Sequence, residues 1–417
     1  MTETGTRVGV VGGARTPFAK AGTHLKHHRA LDLGTHSVDG IIEVLDIDPG
    51  IVDEMAYGIV VTDPKIPQLA REVNFRSKLP DSVRSYTITD NCITGITALS
   101  SVVRSIRAGT AEVAIAGGVD SMSNPAILFS KNASRVIFDL TQARSLGDRL
   151  KLFASLRPGD VKPTAPGVTE PSTGLSMGEH TEITVKEWNI SRTEQDEIAF
   201  NSHMNAARAS DDGVLTAEIH PLDGLTRDTI IRSDTSMAKL VKLQPVFDRS
   251  GTGTLTAGNS SPLTDGAAAV LVAGEAAAAR HGLEVKAWVK DVEFAAISPA
   301  DGLLMGPGIA VPRLLRRHSL SLEDLDLIEM HEAFGGQIAA NIAAWEQGWK
   351  EEPIGKVDRA RLNVNGGSIA IGHPFAATGA RVVAQAANEL ARRDGSLALV
   401  SVCGAGATAA AVLLERS

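Results

Sequence analysis

The amino-acid sequence predicts an α/β protein made of two related halves, the first interrupted by an inserted loop domain. Three observations lead there. Two stretches far apart repeat one design, several apolar runs end in glycine turns, and a polar segment rich in proline splits the first half.

The first stretch opens Asn91-Cys92-Ile93-Thr94-Gly95, continues as ITALSSVVRSIRAG and ends in EVAIAGG at Gly118. The second opens His373-Pro374-Phe375-Ala376-Ala377-Thr378-Gly379, continues as ARVVAQAANELARRDG and ends in LALVSVCGAG. Each reads as reactive side chain, Thr-Gly, amphipathic helix, buried strand and glycine turn. Leu99, Val102, Val103 and Ile106 recur at helical spacing in one, and Val383, Ala386, Ala387 and Leu390 in the other. Both sets stand in the same register relative to their Thr-Gly, which points to an internal duplication.

Between them the composition changes. RPGDVKPTAPGVTEP argues against regular structure, a helix is predicted from Met177 through Asn189, and another follows Ser191-Arg192-Thr193-Glu194, which resembles a capping box. The predicted boundaries are 1–122 with 250–284 for the first half, 123–249 for a loop domain over the active site, and 285–417 for the second half. Within the insertion, Leu146, Leu150, Phe153 and Leu156 interleave with Arg144, Arg149, Lys151 and Arg157. This basic amphipathic segment suits a membrane surface or a partner protein, or it is a surface helix packed on its own domain.

The net charge of −8 carries no long run of one sign, which argues against a nucleic-acid partner. It leaves anionic ligands open, because helix N-termini bind them. Residues 395–414 carry no charge, but Gly404 and Gly406 break the run, so two buried strands explain it better than a membrane span. The polar start, Met1 to Arg7, has no signal-peptide pattern, and a cytoplasmic location is expected, with segment 144–157 leaving a peripheral membrane contact open.

The two cysteines, Cys92 and Cys403, are expected to be reduced thiols. Taken alone, each reads as a small buried apolar residue. Their surroundings argue otherwise. Cys92 stands just before a predicted helix, where the dipole and free N–H groups would lower its pKa. A nucleophile needs a base, and His373 stands at the matching helix entrance of the other half. Cys403 ends a strand before Gly404-Ala405-Gly406, whose small residues leave backbone N–H groups accessible, as an oxyanion hole requires. A thiol there could act as the acid–base group at a thioester α-carbon.

NCITG with AIAGGVDSMS, NVNGGSIAIGHPFAATGAR, and VCGAGATAAAVLLE resemble the three signature regions of the thiolase family (acetyl-CoA acyltransferases). SMGEHTEITVKEWNISRTEQDEIA, TLTAGNSSPLTDGAAAVL and MHEAFGG resemble its other recurrent segments, so the resemblance spans the chain. It implies a duplicated, five-layered αβαβα core with a loop domain, assembled as a homodimer or homotetramer. It also implies ping-pong chemistry on 3-oxoacyl-CoA, with coenzyme A as co-substrate, no tightly bound cofactor and no metal. In that scheme Cys92 carries the acyl group and Cys403 protonates the departing acetyl-CoA enolate. His373 activates Cys92 and helps bind the thioester oxygen. The N–H groups of Cys92 and Ala405 form a second oxyanion site, and Ser261, Met177 and Phe334 are the expected substrate contacts.

His331-Glu332-Ala333-Phe334 stands where many family members have Asn-Glu-Ala-Phe. With HPFAATGAR and RLKLFASLRPGD it resembles the β-subunit thiolases of the fatty-acid oxidation trifunctional complex, whose α subunit carries hydratase and dehydrogenase activity. His331 would then hold a water that donates to the thioester oxygen. Ser176 before Met177, where many short-chain biosynthetic members have His, leaves chain length open. Direction is open as well, because biosynthetic acetoacetyl-CoA formation uses the same residues. A ketoacyl synthase could imitate Cys92, His331 and His373 but has no use for Cys403. A non-catalytic CoA-binding subunit would need none of the three.

Overall fold

The structure is a computed structural model that describes residues 6–164, 167 and 169–416. Its strands are β1 (Val8–Arg15), β2 (Ala19–Lys20), β3 (Glu54–Gly58), β4 (Arg84–Ile88), β5 (Val113–Asp120), β6 (Thr264–Gly274), β7 (Ala287–Ala296), β8 (Leu327–Met330), β9 (Leu397–Gly404) and β10 (Thr408–Glu415). The helices of the first half and the inserted segment are α1 (Ala30–Val44), α2 (Leu69–Arg76), α3 (Thr94–Arg107), α4 (Lys131–Gln142), α5 (Leu146–Ala154), α6 (Met177–Glu187), α7 (Arg192–Asp211) and α8 (Met237–Leu240). The remainder are α9 (Glu275–His281), α10 (Pro307–Arg317), α11 (Gly335–Gln347), α12 (Ser368–Ile371) and α13 (Phe375–Arg392).

Strand order runs β4-β3-β5-β6-β1-β7-β10-β9-β8, with β2 on β6. Read outward from the β1–β7 junction, the two halves mirror each other. β1 and β7 lie antiparallel to β6 and β10, these lie antiparallel to β5 and β9, and β3 and β8 join in parallel. The duplication inferred from the two helical stretches is therefore present in the topology. Strands such as β1, β5 and β6 are buried along their whole length, which explains their continuous apolar runs.

α3 and α13 lie between the two parts of the sheet. Leu99, Val102, Val103 and Ile106 from one, and Val383, Ala386, Ala387 and Leu390 from the other, share a core with Val270, Val272, Val400 and Val412. Burying one such Leu or Val contributes on the order of 1.5–3 kcal/mol. α1 packs outside β1 and β6, and α10 outside β7 and β10, giving five layers. The two central helices touch backbone to backbone. A Cβ on Gly95 would stand 2.6 Å from the Ala380 nitrogen, and one on Gly379 would stand 2.6 Å from the Ile96 nitrogen. Only glycine permits that approach.

The chain separates into two compact units, one made of the described parts of Met1–Val60, Gln68–Asn124 and Thr169–Ser417, the other of Val61–Pro67 with those of Pro125–Val168. In the second unit α4 buries only Ala133 and Val136, and α5 buries no residue. Asp160 gathers its turn by accepting from Ser130, Asn132 and the Arg157 N–H. Among the described residues, no helix is long and apolar enough to cross a membrane.

One helix end differs from the sequence expectation. α6 stops at Glu187, because Asn189 turns left-handed at φ 52° and the Ile190 N–H closes back on the Val185 carbonyl. Ser176, the departure noted before Met177, caps α6 in a reciprocal box with Glu179.

Candidate active site

Cys92 stands in a turn rather than in the helix it precedes. Asn91 is left-handed at φ 47°, and α3 begins at Thr94. Thr94 ties the turn down: its Oγ1 accepts from the Asp90 N–H at 2.7 Å and donates to the Asn91 carbonyl at 2.6 Å. The Asn91 side chain reaches across the halves and donates to the Ala405 carbonyl at 3.0 Å. Ala405 belongs to the hairpin between β9 and β10, where Gly406 (φ 78°) and Ala407 (φ 56°) both adopt left-handed backbone. Its neighbour Gly406 donates its N–H to the Glu170 carboxylate at 2.8 Å. The Asn91 bond thus pins the Cys92 turn to the Gly404-Ala405-Gly406 turn, and Glu170 holds the latter from a third segment.

The thiol chemistry differs from the sequence expectation. Helix position predicts a lowered Cys92 pKa, whereas burial pushes it up to about 12. The N–H groups of Ala405 and of Cys92 itself favour the thiolate, and the buried Asp120 carboxylate opposes it. Cys92 keeps part of its surface exposed, yet its sulfur is enclosed, and desolvation of the sulfur outweighs the weak end-of-helix field. Cys403 is buried at the end of β9 among Phe334, Leu255, Leu304 and Ala407, with Met177 and Phe247 packed against them. Its pKa is raised well above the ordinary thiol value, first by burial and then by the nearby Cys92.

His373 enters from the second half. Gly372 takes φ 116°, the His373 N–H donates to Thr264 Oγ1 at 3.0 Å, and its ring Nδ1 lies 2.7 Å from Thr378 Oγ1. Burial, then the charge of Arg381, lowers its pKa to about 3, so the ring is neutral. Asp120, at the end of β5 in the first half, accepts from the Ala376 N–H at 2.8 Å and from Val60 at 3.1 Å. It thereby caps α13, the helix that follows His373. His331 lies against His373 with ring centroids 4.0 Å apart and the ring planes tilted by 39°. Its pKa is lowered well below the ordinary value by burial, His373 and Arg381.

The next residue, Glu332, organises the loop that carries His373. Its carboxylate accepts from Ser202 at 2.6 Å, Asn363 at 2.6 Å and the Ile369 N–H at 3.1 Å. A Cβ on Gly367 would stand 2.2 Å from the Glu332 carboxyl carbon, so the glycine is required there.

The structure brings Cys92 beside Cys403 and Ala405, and His331 beside His373, with Asp120 near the Cys92 thiol and bonded to the Ala376 N–H of the helix that follows His373. Met177 and Phe334 belong to the apolar cluster around Cys403, and Phe334 meets Phe247 edge to face at 5.6 Å. Ser261 adjoins through its N–H bond to the Ala333 carbonyl at 3.0 Å. Sequence reasoning singled out none of Asp120, Glu170, Ser368 or Arg381. Asp120, Ser368 and Arg381 lie inside quoted motifs, but Asp120 acts on Ala376, 256 residues away, and no local pattern marks Ser368 and Arg381 as supports of His331. A cavity of about 910 Å³, lined by residues such as Asn201, Arg208, Glu332 and Arg359, touches none of Cys92, His373 or Cys403. Among the described residues, no three His, Cys, Asp or Glu side chains form a group able to hold a metal.

Comparison with known proteins identifies the family and the fold. The family model described as "Thiolase, N-terminal domain" matches residues 8–276, and "Thiolase, C-terminal domain" matches 283–416. The 3-ketoacyl-CoA thiolase of Pseudoalteromonas translucida is 44% identical, covering 100% of this chain and 98% of that protein. That of Colwellia psychrerythraea is 42% identical, covering 99% and 98%. Human mitochondrial 3-ketoacyl-CoA thiolase in complex with CoA superposes with a TM-score of 0.85 at 29% identity, covering 99% of this chain and 98% of that one. Bacillus anthracis acetyl-CoA acetyltransferase gives 0.84 at 29%, covering 99% of each. By fold, by its family-model matches and by full-length similarity, the chain belongs to the thiolase family of acyltransferases.

Proposed function

We propose that the chain cleaves 3-oxoacyl-CoA with CoA, releasing acetyl-CoA and a shortened acyl-CoA, through an acyl thioester on Cys92. The supporting observation is the pair of neighbouring thiols beside the Ala405 N–H, with the Asn91 bond holding one half's turn against the other's and Asp120 reaching from the Cys92 side to the start of the helix that follows the neutral His373.

Cys92 gives its proton to His373 as its sulfur attacks the 3-oxo carbon. The oxyanion that forms is held by the N–H groups of Cys92 and Ala405, the same two that favour the thiolate. The bond between C2 and C3 breaks, and the electron pair becomes the enolate of acetyl-CoA. His373 and His331 hold the thioester oxygen, the latter through a water. Cys403 donates its proton to C2. In the second half-reaction Cys403 takes the proton of the CoA thiol. CoA attacks the acyl group, and Cys92 leaves and recovers its proton from His373. A Cys92 thiol near 12 means that no thiolate stands ready in the free enzyme, so proton transfer accompanies attack.

Met177, Phe334 and Ser261 serve as the substrate contacts of this reading, supported by the apolar cluster beside Cys403. The reverse reaction, acetoacetyl-CoA synthesis, uses the same groups, and substrate concentrations set the direction. Acetoacetyl-CoA and CoA supplied to the enzyme are consumed, and Cys403→Ser loses roughly 10²–10⁴-fold in rate as its acid–base group is removed. Turnover that instead needs a malonyl thioester would identify a condensing enzyme and overturn the reading.

The assembly we infer is a homodimer or homotetramer, supported by β4, an edge strand with one side unpaired within the chain. The 123–249 segment is read as the loop domain. The 144–157 segment is read as an interaction surface for a membrane or a hydratase/dehydrogenase α subunit, with the protein cytoplasmic and peripheral to the membrane. Leu146, Leu150 and Phe153, exposed at 74%, 62% and 60% beside Arg149 and Lys151, support that reading.

A further inference from the structure

We propose that Arg381, acting through Ser368, is a positioning residue that holds His331 with its proton on Nε2, the opposite tautomer to its neighbour His373. The inference deepens the reading of His331 at the thioester oxygen and rests on it.

The argument is a count of protons around two hydroxyl groups. Ser368, the first residue of α12, is fully buried, and its Oγ has two polar neighbours. Arg381 Nη2 lies at 3.3 Å and His331 Nδ1 at 2.8 Å. A guanidinium only donates, so Ser368 Oγ accepts from Arg381. The single hydroxyl proton then goes to His331 Nδ1, which must present a lone pair. A neutral His331 therefore carries its hydrogen on Nε2. That Nε2 is buried and, among the described residues, has no hydrogen-bond partner. It is a donor held ready for an oxygen that the chain does not supply.

The second hydroxyl gives the opposite result. Thr378 Oγ1 donates to the Pro374 carbonyl at 3.1 Å, so its proton is already committed. Toward His373 Nδ1, 2.7 Å away, it acts as acceptor. His373 carries its hydrogen on Nδ1, and its Nε2 presents a lone pair. The two rings, 4.0 Å apart, thus offer one N–H donor and one base. If the tautomers were reversed, His373 could not take a proton on Nε2 and His331 could not donate one.

Arg381 is itself held for this task. Its Nη1 donates to Gln385 at 2.8 Å, and Gln385 donates onward to Glu329 at 3.2 Å. The side chain is 1% exposed, and its positive charge opposes protonation of both imidazoles. One group therefore orients Ser368 and adds to the burial that keeps the two rings neutral.

The test uses the full-length enzyme labelled with [¹⁵N]histidine, its ring signals assigned by loss in His331→Ala and His373→Ala. Long-range ¹H–¹⁵N spectra are expected to show Nε2–H for His331 and Nδ1–H for His373. Ser368→Ala is expected to convert the His331 signals to a mixture of tautomers and to lower thiolysis kcat about tenfold, with the KM for CoA unchanged. Arg381→Lys, which keeps the buried charge, is expected to shift them in the same direction while the protein still folds. An Nδ1–H His331 in the wild type overturns the proposal. So does a Ser368→Ala variant whose His331 signals and kcat are those of the wild type. His331→Ala separates the two levels: if it leaves kcat unchanged, the reading of His331 at the thioester oxygen fails, whatever the tautomers.

Discussion

The entrances to α3 and α13 are the same device used in two ways. Each helix begins beside a reactive side chain, each has a Thr-Gly in its opening turn, and Gly95 and Gly379 meet face to face. In the first half, Thr94 spends both its hydrogen bonds on the backbone of its own turn. In the second, Thr378 holds the His373 ring. Cys92 consequently receives its orientation from backbone and from the Ala405 turn, while His373 receives its from a hydroxyl. Burial then acts on both in one direction, toward the neutral form. It raises the thiol to about 12 and lowers the imidazole to about 3. On the proposed mechanism a duplicated scaffold yields a nucleophile and a base from matching positions, each oriented by its own local hydrogen bonds.

The strongest way to break the comparison is at the shared crossing. Gly379→Ala places a Cβ 2.6 Å from the Ile96 backbone nitrogen and 2.9–3.0 Å from Gly95, where no side chain can yield. A loss of about 3 kcal/mol in chemical denaturation is expected. A variant as stable as the wild type would mean that the halves do not depend on this contact.

The two threonines sharpen the contrast. Thr378→Val removes the acceptor of His373 Nδ1, and thiolysis kcat is expected to fall roughly thirtyfold through misdirection of the base. Thr94→Val instead leaves the Asp90 N–H without its acceptor and is expected to cost about 1–2 kcal/mol of stability. Kinetics and denaturation curves measured on both would reveal an exchange of these effects, which would reverse the assignment of roles.

The smallest expected effect is on pH dependence. A base is lost when pH falls through its pKa, and His373 is held at about 3. The rate of Cys92 acylation by acetoacetyl-CoA should therefore stay level from pH 8 to 5. A solvent-exposed imidazole near 6.5 would lose about thirtyfold over the same range. Stopped-flow acylation that drops with a midpoint near 6.5 would show that the free ring is more solvated than its burial implies.

Much of this was legible in the sequence because it depends on neighbours along the chain. The 3.6-residue spacing of Leu99, Val102, Val103 and Ile106 marks a helix with one buried face, and those four residues are buried. The uncharged run 395–414 reads as two strands and folds as β9 and β10. The choice of Cys92, His373 and Cys403 as the candidate site was legible from the repeat and the family resemblance together. The support beneath it was not. Asp120 caps a helix that begins 255 residues later, and Glu170 holds a turn 236 residues away. No periodicity or spacing encodes such a pairing.

The sequence by itself determined the two halves, their core faces, the family and the residue types at the site, because these follow from local pattern and motif. The tertiary structure decided the direction of the Cys92 pKa, the neutrality of both imidazoles and the proton position on each. Those depend on desolvation, and on which donor or acceptor folding brings within 3 Å. The end of a helix predicts a thiolate at Cys92; enclosing its sulfur between two halves of the molecule leaves a thiol.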